Sequence, residues 1–400
     1  MMGYQAHHEL ALLGKQFARE IYKVSDNSKI YAYYQSCSEG GREGWSQLQR
    51  FPDQFDGAVV GAPALRLGQQ QVNHLFENVV EKTLSYSPPP CELDKIVNLT
   101  IAFCDPLDGL ADGVVSRSDL CTEALHLENF IGKAYSCASS GSVPAQKGKI
   151  TAKGVEVAQT MLNGLHNSQG QRAYITYRPG AGFGDVSAVY NQASGTWDNE
   201  ISSLGGEWVA RYLQLRDADN LDTLNGVNYD TLVDWMTLGM NRYYDSLQTT
   251  YPDLSALRSA GGKIIHIHGE QDNSVPTASS IHYYDSVRKI MYPNLSYQEG
   301  VAALDDFYRL YLIPGAAHCD FNPLQPTGPW PQTTLQTVID WVERDVAPAT
   351  LEGTGHIDTI CKWPLRPMWS GNGKKFECQF SQSSIDSFTY EFDAFKVPVY

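Results

Sequence analysis

Two cysteine-containing dipeptides constrain this chain more than any other feature of its sequence. Cys37-Ser38 lies within Ser-Cys-Ser-Glu-Gly-Gly, and His318-Cys319 lies within Gly-Ala-Ala-His-Cys-Asp. A disulfide between Cys37 and Cys319 would hold their Cα atoms about 4.4–6.8 Å apart. Ser38 and His318 would then be close enough for the imidazole to take the hydroxyl proton. The two dipeptides therefore predict a serine nucleophile and its general base.

A candidate acid lies between them in the sequence, at Asp272 in His-Gly-Glu-Gln-Asp-Asn-Ser-Val-Pro. Asp-Asn-Ser is also common in simple turns, and Glu270 is a rival acid two residues earlier. We prefer Asp272 because the acid of an α/β-hydrolase follows its strand by a few residues. The chain order serine, aspartate, histidine is typical of that fold.

The surroundings of Ser38 favour a nucleophile over an ordinary turn serine. Apolar strand patterns over 29–36 and 55–62 flank a helix pattern over 42–49, so Ser38 lies on a strand–turn–helix connection. In a nucleophile elbow the hydroxyl points outward, and the next backbone N–H, here that of Glu39, receives the oxyanion. Ser36 takes the place of the first glycine of the usual G-x-S-x-G motif.

The pattern of strands and helices predicts an α/β fold, with an α/β-hydrolase core in two parts and a large inserted lid domain. We place the core at residues 1–64 and 256–400, and the lid at 65–255, where the sequence is rich in Gly, Ser and Asn. The other predicted elements are an amphipathic helix over 4–24, strands near 263–268 and 308–313, and helices near 278–291 and 334–344.

Ten histidines compete for the role of base. His266 and His268 lie in a strand pattern, where a hydrogen-bonded core histidine is the simpler interpretation. The run His-His-Glu at residues 7–9 does not match the H-E-x-x-H motif, so a zinc protease is not supported. His318 is preferred because its cysteine neighbour could tie it to Ser38.

Composition limits the classes of partner. The formal net charge is −15, and no basic patch is present to neutralise phosphates, so nucleic acid is not expected as a partner. No apolar run is long enough to span a bilayer, so no membrane is expected either. Eight cysteines and sequons at Asn98 and Asn294 favour a secreted glycoprotein, although residues 1–10 contain no signal-peptide apolar region.

A second cluster of chemically informative residues is Cys-Asp-Pro-Leu-Asp-Gly-Leu-Ala-Asp-Gly-Val-Val. Asp105, Asp108 and Asp112 place three carboxylates within eight residues, a density that suits Ca²⁺. The spacing is not that of an EF-hand, and a solvated acidic loop is the competing interpretation. Cys104 and Cys121 bracket the segment and could clamp it.

Taken together, these motifs resemble the tannase and feruloyl esterase family, whose signature is Cys-Ser, then Asp, then His-Cys. The resemblance runs from about residue 3 to the C-terminus. It is closest to the fungal tannases of the family, through Thr-Leu-Val-Asp-Trp-Met, Asp-Ser-Leu-Gln-Thr-Thr and Phe-Lys-Val-Pro-Val-Tyr.

The resemblance implies roles for the residues that match the signature. Ser38 would be the nucleophile, Asp272 the acid and His318 the base, above a Cys37–Cys319 bridge. The family's structural calcium site maps onto the side chains of Asp105, Asp108 and Asp112 and the carbonyls of Leu110 and Val114. The remaining cysteines match family bridges Cys104–Cys121 and Cys361–Cys378, which leaves Cys91–Cys137 by elimination.

The chain also departs from the family pattern. Only 37 residues precede Ser38, whereas family members carry a signal peptide and several further elements before this point. We therefore expect that N-terminal strands of the core, and the second oxyanion-hole donor, are missing from residues 1–400.

The predicted function is that of a serine esterase hydrolysing galloyl (phenolic acid) esters through an acyl-enzyme. The partner is thus a small phenolic ester, and the cofactor is a structural Ca²⁺. A feruloyl esterase is the nearest alternative. A truncated, inactive calcium-binding secreted protein is the alternative of another class.

Overall fold

The computed structural model describes residues 3–141, 143–355, 357–371 and 373–400. Its strands are β1 (Tyr33–Cys37), β2 (Gly57–Gly61), β3 (Ala134–Cys137), β4 (Gln146–Lys149), β5 (Ser187–Asn191), β6 (Thr196–Glu200), β7 (Lys263–Gly269), β8 (Tyr308–Ile313), β9 (Thr350–Glu352), β10 (Thr359–Cys361), β11 (Leu365–Ser370) and β12 (Lys375–Phe380). Its α-helices are α1 (Gln5–Ile21), α2 (Glu39–Arg50), α3 (Leu67–Asn73), α4 (Phe76–Leu84), α5 (Pro90–Cys104), α6 (Ser118–Ala124), α7 (Ala152–Asn163), α8 (Ser203–Glu207), α9 (Tyr229–Tyr243), α10 (Ser255–Ala260), α11 (Ala278–Met291), α12 (Tyr297–Leu304), α13 (Thr334–Arg344) and α14 (Gln382–Ser387).

A parallel sheet in the order β1-β2-β7-β8 forms the centre of the structure. The register pairs Cys37 with Gly61, Gly61 with Ile267, and Gly269 with Ile313. The carboxyl ends of all four strands therefore meet at one edge. Ligands of open α/β sheets bind at this edge, so the topology already indicates where a site should lie.

Helices cover both faces of the sheet. Val60 of β2 belongs to a core that includes Trp45 of α2 and Val287 of α11. Val59, its neighbour on the strand, belongs to a second core with Trp341 of α13. Successive residues of a strand point to opposite faces, so a sheet buried on both sides needs apolar residues at consecutive positions, as in this strand. The α/β class predicted from the sequence is confirmed.

The predicted elements around the sheet agree with the structure to within a few residues, and the largest difference is at the first strand. The helices near 278–291 and 334–344 and the strand near 308–313 have the expected bounds. The first strand, expected over 29–36, begins only at Tyr33. Lys29 forms an ion pair with Asp56 at 2.6 Å, and the Ala32 amide donates to the Asp56 carboxylate at 2.8 Å. The Asp56 side chain thus accepts from the Ala32 amide, while the Asp56 backbone amide donates to the Ala32 carbonyl at 2.8 Å.

The chain between β2 and β7 forms helices α3 to α10 and the two hairpins β3–β4 and β5–β6. Two further hairpins, β9–β10 and β11–β12, follow the sheet. The domain boundaries 1–64, 65–255 and 256–400 stay a prediction.

The predicted amphipathic helix at the N-terminus is present as α1, but its apolar face is not buried. Leu10, Leu13, Phe17 and Ile21 are each between 58% and 66% exposed. Strand β1 is an edge of the four-stranded sheet. In the part of the chain that the structure describes, no helix is long and apolar enough to cross a membrane.

We expect residues 1–400, expressed on their own, to self-associate. An exposed apolar helix face and an open strand edge both recruit other chains. Sedimentation velocity should show oligomers for the unmodified chain and fewer for a variant carrying Leu13→Glu and Phe17→Lys. Gln16→Lys on the same helix is the control and should leave the distribution unchanged. A monodisperse monomer of the unmodified chain would contradict this expectation.

Candidate active site

Ser38 forms the connection between β1 and α2. Its backbone has φ 62° and ψ −124°, a conformation that residues other than glycine rarely adopt. The Ser38 amide donates to the Gly61 carbonyl at 2.9 Å, which fixes the turn against the end of β2. A non-glycine residue held in such a conformation is a common feature of functional sites. The turn has the strand–turn–helix form predicted for a nucleophile elbow.

Two glycines allow α2 to begin immediately after Ser38. A Cβ atom at Gly40 would lie 1.9 Å from the Ser36 hydroxyl, and one at Gly41 would lie 2.5 Å from the Gly61 carbonyl oxygen. The absence of a side chain at Gly40 therefore accommodates the unusual serine at position 36. The first turn of α2 can then approach β2 closely.

The loop that carries His318 crosses over the end of β7. The Gln271 amide donates to the Ala316 carbonyl at 3.0 Å. A Cβ atom at Gly269 would lie 2.2 Å from the Ala317 carbonyl oxygen, so the loop reaches this position only because residue 269 is a glycine. This crossing brings His318 beside the segment that follows β7.

A disulfide between Cys37 and Cys319 joins this loop to the nucleophile turn, with the two Cα atoms 6.0 Å apart. The bridge passes close to the end of β2, where a Cβ atom at Gly61 would lie 2.8 Å from the Cys37 sulfur. Ser38 follows one bridged cysteine and His318 precedes the other. The bond therefore keeps the two residues on the same side of the sheet, at the carboxyl ends of its strands.

The imidazole of His318 is hydrogen-bonded to Asp272, as the sequence-based prediction requires. Nδ1 lies 2.7 Å from Asp272 Oδ2, and the other carboxylate oxygen accepts from the Ser274 and Val275 amides at 2.8 and 2.9 Å. The Asp272 side chain is fully buried, whereas that of His318 is 22% exposed. The acid is thus shielded from solvent while the histidine remains accessible.

Burial opposes ionisation of both groups, and their contacts outweigh it. Burial alone would raise the pKa of Asp272, but hydrogen bonds from His268 and His318 lower it to about 2. Burial would lower the pKa of His318, but the hydrogen bond to Asp272 raises it above the ordinary value. Asp272 is therefore a carboxylate at neutral pH and stabilises a positive charge on His318.

Glu270, the rival acid, is engaged elsewhere. Its carboxylate is fully buried in an ion pair with Arg366 and accepts from the hydroxyl and amide of Ser118. Of the two acids, Asp272 is therefore the one that contacts His318 among the described residues.

Residues from the chain between β2 and β7 contact the acid loop, residues 270–277, which connects β7 to α11. Sequence reasoning did not predict these contacts. The Ser274 carbonyl accepts from Gln70 Nε2 at 2.6 Å and from the Tyr177 hydroxyl at 3.2 Å. His268 also contacts Asp272, with Nε2 3.2 Å from Oδ2. Of these, only His268 carries a sequence signal, because it lies four residues before the acid on an alternating strand.

Glu39, the predicted oxyanion donor, is the first residue of α2. The first amides of a helix have no partner within the helix, and its dipole favours negative charge there. The position suits an oxyanion, and the role stays a prediction.

A cavity of about 480 Å³ adjoins Glu39. Its wall combines the apolar side chains of Leu67 and Trp208 with the charged side chains of Arg42 and Glu207. Small-molecule sites typically have this mixture of apolar surface and a few polar groups.

The predicted calcium segment forms a tight loop after α5. The Asp105 and Asp112 carboxylates accept from backbone amides within the loop. Asp108 is fully buried, and its Oδ2 atom has no hydrogen-bond partner among the described residues. Burial raises the pKa of Asp108 to about 6, and the neighbouring Asp112 and Asp105 carboxylates add to the rise.

Within the described ranges, no group of three or more His, Cys, Asp or Glu side chains is arranged to hold a metal ion. The donor chemistry of the loop nevertheless fits calcium at Asp108, whose buried Oδ2 has no hydrogen-bond partner in the part of the chain that the structure describes. The carbonyls of Leu110 and Val114 complete the predicted set of ligands, and their part in a site stays a prediction.

The other predicted covalent features are three disulfides and two glycosylation sequons. The structure contains the bridges Cys91–Cys137, Cys104–Cys121 and Cys361–Cys378, so all four implied pairings are present. The sequon residues Asn98 and Asn294 are exposed. Both can therefore be reached by a glycosylating enzyme, and their modification stays a prediction.

The sequence matches a known protein family over most of its length. The family model described as tannase and feruloyl esterase matches residues 1–385. A tannase from Aspergillus oryzae is 49% identical over the whole of this chain, which covers 73% of that relative. The similarity thus extends well beyond the site.

Solved structures agree with the sequence comparison. A tannin acyl hydrolase from Aspergillus niger superposes with a TM-score of 0.98 and 54% identity, covering 100% of this chain and 73% of that one. The feruloyl esterase B from Aspergillus oryzae superposes with a TM-score of 0.70 and 25% identity, covering 94% of this chain and 74% of that one.

The pKa of His318 yields a prediction about pH. A general base must be neutral, so kcat/KM should fall as the pH drops through the pKa of His318, which lies above the ordinary value of 6.5. Asp272→Asn removes the carboxylate that raises this pKa. The acid limb should then move to lower pH, while kcat at the plateau falls by about 10⁴-fold. Profiles of kcat/KM against pH for both proteins test this, and an unmoved limb would contradict it.

Proposed function

Because the chain belongs to the tannase and feruloyl esterase family, whose members are carboxylic ester hydrolases, we propose that it cleaves galloyl esters through an acyl-enzyme on Ser38. The observation that carries the proposal is the buried Asp272–His318 hydrogen bond, tied to the Ser38 turn by the Cys37–Cys319 bridge. A nucleophile, an oriented base and a structural link between them are thus in one place.

The proposed reaction assigns one step to each group. His318 Nδ1 is engaged with Asp272, so Nε2 is the atom that takes the Ser38 proton. Ser38 Oγ attacks the ester carbonyl, and the Glu39 amide receives the charge that develops on the carbonyl oxygen. His318 then gives its proton to the leaving alcohol. Water attacks the acyl-enzyme by the same route, releasing gallic acid and restoring Ser38.

The preference for galloyl over feruloyl esters rests on the comparisons. The chain is 49% identical to a tannase and 25% identical to a feruloyl esterase of known structure. A site that hydrogen-bonds several phenolic hydroxyls rejects a ring that lacks them, because its own polar groups are left unpaired. We propose that the cavity beside Glu39, with its charged Arg42 and Glu207, takes part of the phenolic substrate.

Turnover of two model esters by the purified enzyme tests this proposal. We expect a higher kcat/KM for methyl gallate than for methyl ferulate. Ser38→Ala should abolish hydrolysis of both while the thermal unfolding temperature stays close to that of the unmodified protein. A higher kcat/KM for methyl ferulate would identify a feruloyl esterase, and an active Ser38→Ala variant would refute the assignment of the nucleophile.

We further propose a structural calcium ion in the loop after α5, held by Asp108 with Asp105 and Asp112. The support is the buried Asp108 oxygen, which has no hydrogen-bond partner among the described residues, and the raised pKa of this carboxyl. A raised pKa in the folded state means that ionisation of Asp108 destabilises the fold as the pH rises toward neutrality. A bound cation would reverse this cost and stabilise the loop.

Thermal unfolding with and without a chelator tests for calcium. Chelation should lower the melting temperature of the unmodified protein. Asp108→Asn should abolish this sensitivity and should also melt higher than the unmodified protein in chelator, since it removes a buried charge. Asp94→Asn, an exposed acid on α5, is the control and should keep the full response. Identical melting temperatures of the unmodified protein in calcium and in chelator would contradict the calcium proposal and would identify the segment as a solvated acidic loop.

The four disulfides suit an oxidising compartment, which supports our proposal that the enzyme is secreted and glycosylated. We also propose that the chain between β2 and β7 acts as a lid, since Gln70 and Tyr177 from this region contact the acid loop. The expected further strands beside β1 stay a prediction.

A further inference from the structure

Strand β7 carries a polar row on one of its faces. Ile265 and Ile267 belong to the apolar core shared with α13, whereas the alternate residues His266 and His268 face the other side and are buried. Two adjacent histidines on one face of a buried strand need hydrogen-bond partners, because unpaired polar groups are costly there.

Their partners form a continuous series that ends at the catalytic acid. His268 Nε2 lies 3.2 Å from Asp272 Oδ2, and His268 Nδ1 lies 2.6 Å from the Ser280 hydroxyl on α11. The same hydroxyl lies 2.7 Å from His266 Nε2, and His266 Nδ1 lies 2.9 Å from the Tyr308 hydroxyl. Hydrogen bonds therefore link Tyr308, His266, Ser280 and His268. His268 Nε2 in turn lies within ion-pair distance of the Asp272 carboxylate.

The direction of every proton in this series follows from its end at Asp272. His268 Nε2 faces two groups that can only accept, the Asp272 carboxylate and the Val275 carbonyl at 2.9 Å. Nε2 must therefore carry a proton, and we assign the tautomer in which Nδ1 accepts from the Ser280 hydroxyl. The Ser280 oxygen is then free to accept from His266.

The far end of the series is consistent with this order. With Nε2 of His266 donating to Ser280, its Nδ1 accepts from the Tyr308 hydroxyl. Burial lowers the pKa of His266 well below its ordinary value, and burial raises the pKa of Tyr308 well above its own. Both groups are thus in the neutral forms that the order requires.

We propose that His268 is a positioning residue for the reaction, and that Ser280, His266 and Tyr308 fix its tautomer so that its Nε2 proton always faces the Asp272 carboxylate and the Val275 carbonyl. Oδ2 of Asp272 is shared by His268 and His318, while Oδ1 is held by the Ser274 and Val275 amides. The carboxylate is thereby held in one orientation toward His318. This inference rests on the proposed esterase mechanism.

The test compares two substitutions of His268 in the purified enzyme, with nitrophenyl acetate as substrate. His268→Leu removes the donor, and its kcat should fall about 10- to 100-fold, the factor expected for one hydrogen bond to a charged group, with KM little changed. His268→Gln places an amide N–H near the Nε2 position and should recover most of this loss. A general loss of packing would affect both variants alike.

A double-mutant cycle with Asp272→Asn separates positioning from a purely structural role. If His268 acts through Asp272, His268→Leu should cause little further loss in the Asp272→Asn background. Ser280→Ala should lower kcat several-fold in the unmodified background and leave kcat unchanged in the Asp272→Asn background. If His268→Leu does not fold, Ser280→Ala tests the proposal in its place. His282→Gln is the control, since His282 on α11 contacts the Val399 carbonyl and not the series.

Additive losses in the cycle, or an unchanged kcat in His268→Leu, would overturn the proposal. Ser280→Ala would overturn it in the same way if its kcat were unchanged. Nitrophenyl acetate reports Ser38 chemistry whatever the preferred acyl group, so a wrong galloyl assignment does not affect the result. Inactivity of the unmodified enzyme toward this ester would instead refute the esterase mechanism itself.

Discussion

The covalent bond between Cys37 and Cys319 connects two parts of the chain that are 282 residues apart in sequence. Closing so long a loop removes conformational freedom from the unfolded chain, on the order of 5 kcal/mol in the chain-entropy model. Its local effect matters more for the site. It ties the turn after β1 to the loop after β8, which follow the two outermost strands of the sheet, and so sets where Ser38 and His318 lie relative to each other at the carboxyl ends of the strands.

Around this bond, the closest approaches depend on residues without side chains. Gly61 leaves room for the Cys37 sulfur, and Gly269 leaves room for the His318 loop. The two acids of the loop after β7 differ in the charged groups that contact them. Glu270 forms an ion pair with Arg366, whereas Asp272 contacts no arginine or lysine among the described residues and is hydrogen-bonded to His318. Different surroundings therefore give neighbouring carboxylates different roles.

Much of this arrangement was predictable from sequence because it lies in local patterns. Cys37-Ser38, His318-Cys319 and the apolar strands each carry their own signal, and the family resemblance supplied the cysteine pairings. The exposed face of α1 was not predictable, because an amphipathic pattern does not say what covers its apolar side. The contacts of Gln70 and Tyr177 with the acid loop were missed because they join segments far apart in sequence. His266 and His268 were recognised as buried, but their link to Asp272 depends on Ser280 of another element.

The central claim is that Ser38 is a nucleophile activated by a histidine that the disulfide holds beside it. Labelling with a fluorophosphonate, which reacts with activated serines, followed by peptide mass analysis tests this most directly. We predict a single modification, on the peptide containing Ser38, that slows markedly when Cys37–Cys319 is reduced before any loss of overall fold. Modification of another serine, or labelling of Ser38 at the same rate after reduction of the bridge, would contradict the account.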